Sequence, residues 1–318
     1  MATTNYSEYG LVNTTKMFAH AINGGFAVPA FNIYNMETLC AIVTAARHTH
    51  SPLIIAVSES ALKYMGENML MGMIKGLKIN PSEQIVLHLD HGSSVEACIN
   101  AIKIGFSSVM IDASKLPFKK NADATKRVIE FAKKYNVSVE SEIGILYGTE
   151  DENTKSDIHE FTIPEMAEKF VNETHTDSLA IAIGTSHGVY KPTTDTNKLR
   201  FDILSNIQSR MENTPLVLHG ASIVPQRIVE TINKFGGKIT ASQGIDPHQL
   251  YITATKTHIC KINMDTDLRL AFTSAVRQSL YKTPENINPR EYLSMARDNV
   301  CNNCLYAIRE IMNSENKI

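Results

Sequence analysis

The sequence has 318 residues and a mass of 35.3 kDa, enough for two average domains or for one large α/β barrel. Its 31 basic and 33 acidic residues give a formal net charge of −2, so the basic excess typical of nucleic-acid-binding proteins is absent. Aromatic residues make up 7 % and there is no tryptophan, which also disfavours stacking platforms for single strands. We therefore expect a globular protein without a nucleic-acid partner.

The sequence also predicts the compartment. The N-terminal segment lacks a basic region followed by an apolar stretch, and no run of about 18 apolar residues is present, so we expect neither a signal peptide nor a membrane span. The five scattered cysteines suit a reducing compartment, and the expected location is the cytoplasm. Cys301-Asn-Asn-Cys304 has redox or half-zinc spacing, but it lies in a helical pattern without a second pair, and we interpret both as ordinary thiols.

Short, nearly continuous apolar runs recur along the chain, and a segment with helical periodicity follows nearly every one. Continuous rather than alternating runs are typical of parallel strands buried on both faces. Eight such repeats predict an α/β fold, a single (β/α)8 TIM barrel spanning residues 1–318 with a C-terminal helical extension. The alternative is a doubly wound open sheet, but no Gly-x-Gly-x-x-Gly follows the first run. The runs are Ala27–Asn35, Leu53–Ser58, Gln84–Asp90, Ser107–Ala113, Val137–Ile143, Ser178–Gly184, Leu216–Ala221 and His258–Asp265.

Local signals place several helices and one long loop. Ser93 and Glu96 have the spacing of a capping box, Pro225 can open a helix, and a further helix is expected over Asn121–Tyr135. The most polar stretch, Tyr147–Glu160, is predicted to be a long loop on the catalytic face. It would form either a lid or a solvated acidic insertion.

Three histidines lie at the C-terminal ends of predicted strands, where barrel enzymes place their catalytic groups. His91, His187 and His219 are each followed by glycine. One such histidine is more often a hydrogen-bonded structural residue, but three on converging strands match the ligand set of a catalytic zinc ion. His88 should face the same way as Asp90 along the strand and is therefore assigned to the core or to the support of the site.

Strand ends also supply carboxylates and an anion site. Asp90, beside His91, is the best candidate for a catalytic base, because a tuned carboxylate near a metal can move protons. Glycines and hydroxyl residues after strands six to eight predict a phosphate site, with Lys191 and Arg269 as nearby cations. Other strand-end carboxylates are Asp112, Glu140, Glu142 and Asp265.

Taken together, these motifs resemble the class II, metal-dependent fructose-1,6-bisphosphate aldolases, and the likeness covers nearly the whole chain in the family's order. The segments that carry it are HLDHG (88–92), SSVMIDAS (107–114), VESEIG (139–144), AIGTSHGVYK (182–191), LHGAS (218–222) and KINMDTDLR (261–269).

The resemblance implies a role for each matching residue. His91, His187 and His219 would bind Zn²⁺, Asp90 would be the acid/base at the C4 hydroxyl, and Glu150 or Asp151 would shuttle the C3 proton. Asp112 and Glu142 would support the ligands or hold a second, weaker metal or monovalent ion. Asn263 would hold the enediolate region. The remaining substrate contacts would be Gly188, Gly220, Ser222 and Thr266 at the dihydroxyacetone phosphate end, and Ser58, Lys191 and Arg269 at the other phosphate.

The resemblance also implies a sugar bisphosphate substrate, a place in glycolysis or gluconeogenesis, and a homodimer or homotetramer. Asp265 resembles the fructose type, since tagatose-bisphosphate aldolases tend to have a small apolar residue there. The sequence departs from the family pattern at Tyr147 and Ile223, where glycine is expected, so we expect closure of the acidic loop to differ from that of relatives.

Other readings remain open at the level of sequence. A class I aldolase would need a Schiff-base lysine, but strand six has none, and Lys261 on strand eight is better placed to pack or to pair with a carboxylate. A metal-dependent amidohydrolase would need a His-x-His pair on strand one, which is absent. A barrel that binds sugar phosphates without catalysis, and a tagatose-bisphosphate aldolase, are the remaining alternatives.

Overall fold

Eight parallel strands form a closed barrel in the computed structural model, which describes residues 4–150, 154–156, 160–188, 198–240 and 243–318. Around the barrel the order is β1-β11-β10-β8-β5-β4-β3-β2. The first and last strands close it, with Val28 paired to Lys261 and Phe31 to Met264. The strands in chain order are β1 (Val28–Asn32), β2 (Leu53–Ser58), β3 (Ile85–Gly92), β4 (Ser108–Ile111), β5 (Ser138–Ile143), β6 (Tyr147–Glu150), β7 (Thr154–Ser156), β8 (Ser178–Ile181), β9 (Ser186–His187), β10 (Leu216–Leu218) and β11 (Ile259–Met264).

Helices connect the strands and surround the barrel. Within the described residues, no helix is both long and apolar enough to cross a membrane. Short 3₁₀ turns lie at Tyr6–Tyr9 and Pro81–Glu83, and a π-helical turn follows the last helix at Ala307–Ile311. The helices are α1 (Thr14–Gly24), α2 (Met36–Thr49), α3 (Glu59–Met65), α4 (Glu67–Gly76), α5 (Val95–Ile104), α6 (Phe118–Lys133), α7 (Pro164–Thr174), α8 (Phe201–Arg210), α9 (Gln226–Lys234), α10 (Pro247–Lys256), α11 (Thr266–Lys282) and α12 (Pro289–Tyr306).

The predicted barrel with its C-terminal helical extension is confirmed, and the open sheet is excluded because β1 pairs with both β2 and β11. Each of the eight predicted runs overlaps one barrel strand; most strands are shorter than the run, but β3 continues two residues beyond it, to Gly92. The run Ser178–Gly184, for example, forms a strand only to Ile181, and Gly184 then adopts a positive φ of 110°.

The polar stretch Tyr147–Glu160, predicted to be a loop, contains two short strands in the structure. Strands β6 and β7 pair antiparallel within it, and β6 also pairs in parallel with β9. An extended excursion from a barrel must still satisfy its backbone N–H and C=O groups, and here the segment does so partly by pairing with itself. Residues 151–153 and 157–159 lie outside the described residues.

Two predicted helix starts also differ from the structure. The capping box at Ser93 and Glu96 is wrong, because the Oγ of Ser94 accepts the N–H of Ala97 at 3.1 Å and so caps α5. The N–H of Ser93 is instead bonded to the carboxylate of Glu59 on α3. The helix predicted over Asn121–Tyr135 begins and ends earlier, as α6.

Pro225 precedes the first residue of α9 as a helix opener would, and the Cys301–Cys304 segment is helical, as predicted, within α12.

An apolar plug closes the N-terminal end of the barrel. Met17 and Phe18 of α1 pack with Val28, Ile54 and Val86, all of which are almost completely buried. This plug separates the N-terminal end of the barrel from the polar groups nearer the C-terminal ends of the strands.

Phe170 provides a test of the packing between helices and barrel. It is fully buried, and its ring meets Phe118 edge to face with centroids 5.7 Å apart. Phe170→Ala should therefore lower the free energy of unfolding by about 3–5 kcal/mol, measured by denaturant titration. Ile287→Ala, at a residue 93 % exposed, should change it by less than about 0.5 kcal/mol, and equal effects would contradict this description of the core.

Candidate active site

The centre of the site is built where β3 ends. In a regular strand, the neighbouring residues Asp90 and His91 would face opposite sides. His91 instead has φ of 48°, in the left-handed region, and the pairing of β3 with β4 shifts register between Leu89 and Gly92. As a result, ligand atoms of Asp90, His91 and His219 all lie within 4.8 Å of one another.

Close packing holds this bend in place. A Cβ on Gly92 would lie 2.6 Å from the carbonyl oxygen of Met110, so only glycine fits between the two strands. The Gly92 carbonyl then accepts the N–H of Asp112 at 2.9 Å, which brings the end of β4 beside His91.

Two amide side chains orient the buried carboxylate of Asp90. Asn32 donates through Nδ2 to Oδ2 at 2.8 Å, and Asn263 donates through Nδ2 to Oδ1 at 2.9 Å. The Oδ1 atoms of both asparagines are buried and have no hydrogen-bond partner among the described residues. A buried acceptor without a partner is costly, so this pair is suited to receive hydroxyl groups of a ligand.

Carboxylates select the tautomers of the two histidines. The Nδ1 of His91 lies 2.9 Å from Oδ2 of Asp112, with Glu142 at 3.7 Å, and the Nε2 of His219 lies 2.8 Å from Oε1 of Glu140. A carboxylate accepts, so each of these ring nitrogens carries the proton. The other nitrogens, Nε2 of His91 and Nδ1 of His219, are then unprotonated and lie only 2.8 Å apart.

This geometry fits a metal ion. Two unprotonated ring nitrogens that face each other repel unless a cation or a proton lies between them. Burial, together with nearby His91, also lowers the pKa of His219 and keeps its ring neutral, as a ligand must be. Neutral imidazoles backed by carboxylates are the usual surroundings of zinc.

Below this centre, a polar layer crosses the barrel interior. The fully buried ammonium of Lys261 lies 2.8 and 3.0 Å from the two oxygens of Glu140 and 3.2 Å from Nε2 of His88. The Nδ1 of His88 bonds Ser108 at 2.8 Å. As the strand alternation predicts, His88 faces the same interior as Asp90, and Lys261 pairs with a carboxylate.

Burial and charge set the protonation of this layer. Burial opposes ionisation of Glu140, but Lys261 and the hydrogen bond from His219 outweigh it and hold the pKa of Glu140 below its usual value. Burial, reinforced by the Lys261 charge, lowers the pKa of His88 to about 3, so this ring is neutral at physiological pH.

The predicted phosphate residues occupy neighbouring strand ends. Gly220, with φ of 64°, and the buried Ser222 follow β10, while Thr266 begins α11 after β11. Asp267, in the first turn of α11, connects this helix to the loop after β10, because its oxygens accept the N–H groups of Ile223 and Val224 at 2.8 Å each.

The two hydrogen bonds to Asp267 hold a loop whose backbone conformation is unusual. Val224 has φ of 52°, a conformation that β-branched residues rarely adopt. On the other side of the loop, a Cβ on Gly244 would lie 2.1 Å from the carbonyl oxygen of Ile223, so only glycine can sit there.

Other predicted residues lie around the rim. Ser58 ends β2, pairs in register with Asp90, and caps α3 through its Oγ. Asp265 forms an ion pair with Arg269 at 3.0 Å, and the guanidinium of Arg269 lies 4.7 Å from the centre of the Tyr34 ring. A cavity of about 580 Å³ adjoins the centre, and its walls include Ser58, His91, Asp112 and Lys115.

Some predicted residues cannot be placed. Asp151 and Lys191 lie outside the described residues, as do the side chains of His187 and Glu150. The backbone of His187 forms β9 beside β6, and Gly188 follows with φ of 81°.

The sequence reasoning missed Asn32, Tyr34 and Asp267. Asn32 had a usable signal, since it is a polar residue in the apolar run of strand one. Asp267 had none, because its partners are backbone groups on another loop.

Carboxylate-backed imidazoles beside a buried carboxylate, at the C-terminal end of a TIM barrel, are an arrangement typical of metal-assisted barrel enzymes. Residues 12–317 match the family model described as class-II fructose-bisphosphate aldolase. The chain therefore belongs to that family, and the expected enzyme class, an aldolase that cleaves carbon–carbon bonds, is confirmed.

Individual relatives agree with this assignment. A fructose-bisphosphate aldolase of Treponema pallidum (strain Nichols) is 42 % identical, with 98 % of each chain covered. That of Thermus caldophilus is also 42 % identical, with 96 % of each chain covered. Among solved structures, the YdjI aldolase from Escherichia coli K12 superimposes with a TM-score of 0.74 at 26 % identity, covering 96 % of this chain and 99 % of that one.

The pH dependence of stability tests whether His88 is neutral in the folded protein. Its pKa of about 3 in the folded protein lies below its ordinary value of 6.5, so between these values the unfolded chain binds more protons. Stability from this group is therefore complete above pH 6.5 and is lost as the pH falls, at up to about 1.4 kcal/mol per unit. His88→Gln, which keeps a donor and an acceptor, should flatten this slope in denaturant titrations; an unchanged slope would contradict the neutral assignment.

Proposed function

We propose that the chain catalyses the reversible, zinc-dependent cleavage of fructose 1,6-bisphosphate to dihydroxyacetone phosphate and glyceraldehyde 3-phosphate. The observation that carries this is the convergence of Asp90, His91 and His219 within 4.8 Å at the barrel mouth. It supports this proposal because the expected base and two of the expected metal ligands lie together at one end of the barrel.

His91 and His219 would hold Zn²⁺ through the two nitrogens that face each other, with His187 as the third ligand. When bound, the ion polarises the ketose carbonyl and stabilises the charge that develops on its oxygen. Asp112 and Glu140 keep the two described rings in the ligating tautomer. Asp112 and Glu142 are also proposed to hold a second, weaker metal or a monovalent ion.

Asp90 would accept the proton of the C4 hydroxyl as the C3–C4 bond breaks, and the C4 oxygen becomes the carbonyl of the departing aldehyde. Asn32 and Asn263 hold its two oxygens by 2.8 and 2.9 Å bonds, so the carboxylate is aimed before the substrate arrives. Glu150 or Asp151 would then deliver a proton to C3. Condensation is the reverse sequence.

The substrate's two phosphates would bind at opposite sides of this centre. Gly188, Gly220, Ser222 and Thr266 would take the dihydroxyacetone phosphate end, and Asp267 supports this by fixing the loop after β10. Ser58, Lys191 and Arg269 would take the other phosphate.

Fructose is proposed over tagatose because Asp265 is present and is held by Arg269 at 3.0 Å. Comparing kcat/KM for fructose and tagatose bisphosphates tests this choice, and a preference for tagatose would overturn it. We further propose a cytoplasmic homodimer or homotetramer acting in glycolysis or gluconeogenesis.

Replacing Asp90 tests the proposed base. Asp90→Ala should lower kcat for cleavage at least about 10²-fold with a smaller change in KM, because a positioned proton acceptor is lost while other contacts remain. The matched control is Asp177→Asn, a carboxylate that caps the N–H of Val139 near the start of β5 and should keep parental activity. Cleavage by Asp90→Ala within a few-fold of the parent would refute the assignment.

Metal removal tests the cofactor. Treatment with EDTA should abolish cleavage, and added Zn²⁺ should restore it, whereas borohydride in the presence of substrate should leave activity intact because no lysine imine forms. Activity that survives complete removal of metal, verified by elemental analysis, would refute zinc dependence. A zinc-loaded protein that binds sugar bisphosphate but does not cleave it would favour the non-catalytic alternative.

A further inference from the structure

A lysine without any solvent exposure lies in the barrel interior, one layer below the candidate metal centre. Burying an ammonium group is costly unless each of its donors finds a partner. Lys261 meets this condition, with contacts to both oxygens of Glu140 and to Nε2 of His88 at 2.8–3.2 Å. A buried ion pair of this kind needs a reason beyond stability, because well-packed apolar residues in place of both partners are often as stable or more stable.

Glu140 connects this lysine to the metal centre. Its Oε1 accepts from Nζ of Lys261 at 3.0 Å and from Nε2 of His219 at 2.8 Å, while its Oε2 accepts from Nζ of Lys261 at 2.8 Å. Lys261 therefore fixes the rotation of the carboxylate, and the carboxylate in turn fixes the orientation and tautomer of the His219 ring.

We propose that Lys261 is a positioning residue for the metal ligand His219, acting through Glu140. The inference rests on the proposed metal site. Without the ammonium, Glu140 is a buried charge with no compensating cation, and its carboxylate is free to turn away from His219. The ring then loses the acceptor that keeps its Nδ1 unprotonated and directed at Nε2 of His91.

The same contacts separate this role from the alternatives. The Nζ atom is occupied by Glu140 and His88 within the barrel, so Lys261 is not presented as a nucleophile. A purely structural lysine would change the stability of the fold without changing the affinity for metal in the molecules that remain folded. Zinc affinity, measured without substrate, is therefore the deciding quantity.

The first experiment titrates Zn²⁺ into metal-free parent and Lys261→Met proteins against a competing chelator, with folding monitored by near-UV circular dichroism. Methionine keeps the length and loses the charge. We expect zinc binding to weaken about 10–100-fold, as is typical when the partner that orients a ligand is lost. Ser108→Ala is the matched control, because it removes only the far hydrogen bond of His88 and should leave affinity within about twofold.

A second variant tests whether the effect passes through Glu140. In Lys261→Met combined with Glu140→Gln, both charges of this ion pair are removed together, and the amide oxygen can still accept from Nε2 of His219. We expect this double variant to bind zinc more tightly than Lys261→Met alone. If Lys261→Met does not fold, Lys261→Gln, which retains N–H donors, replaces it under the same criteria.

The outcomes are separable from those of the proposed function. A parent protein that binds no zinc, or whose binding is unaffected by His219→Ala, would remove the metal site itself. A parent that binds zinc through His219, together with a folded Lys261→Met of equal affinity, would overturn only the role of Lys261. A double variant no tighter than the single one would likewise overturn the route through Glu140.

Discussion

The site depends on one contact between like atoms, the approach of Nε2 of His91 to Nδ1 of His219 at 2.8 Å. Two lone pairs so close are unfavourable in isolation, and the protein sustains them by placing a carboxylate behind each ring. Asp112 and Glu140 supply these carboxylates from two adjacent parallel strands, Asp112 just after the end of β4 and Glu140 within β5. The fold thus creates a site at the mouth of the barrel that favours a bound cation. A metal-assisted aldolase requires such a site.

That arrangement is possible because the barrel interior is divided into layers. Apolar side chains of α1 and the first strand residues close the N-terminal end, so water is kept from the layer of Lys261, Glu140 and His88. In such surroundings an ion pair acts strongly on its neighbours, and each donor must be matched. The apolar plug therefore contributes to the reactive centre by excluding water from the polar layer beneath it, although the two share no residue.

Sequence reasoning succeeds where a single physical signal is strong. Nearly continuous apolar runs that alternate with helical segments are typical of strands buried on both faces, so the barrel could be predicted, and strand-end polar residues indicated the side of the site. It fails where partners distant in sequence decide. From local sequence, Ser93 and Ser94 are equally good candidates for the N-cap of α5. The structure distinguishes them, because Ser93 contacts Glu59 and Ser94 caps the helix. Likewise, nothing local shows that Asn32 would hold Asp90 or that His91 would turn into the left-handed region.

The closure of the barrel has a consequence for biosynthesis. Val28 of the first strand pairs with Lys261 of the last, so the sheet keeps two open edges until β11 has left the ribosome. The same late strand brings the cation of the inner polar layer and Asn263, one of the two amides that hold Asp90. The emerging polypeptide therefore acquires its barrel closure together with Lys261 and Asn263, and a prematurely terminated product lacking β11 would have none of these.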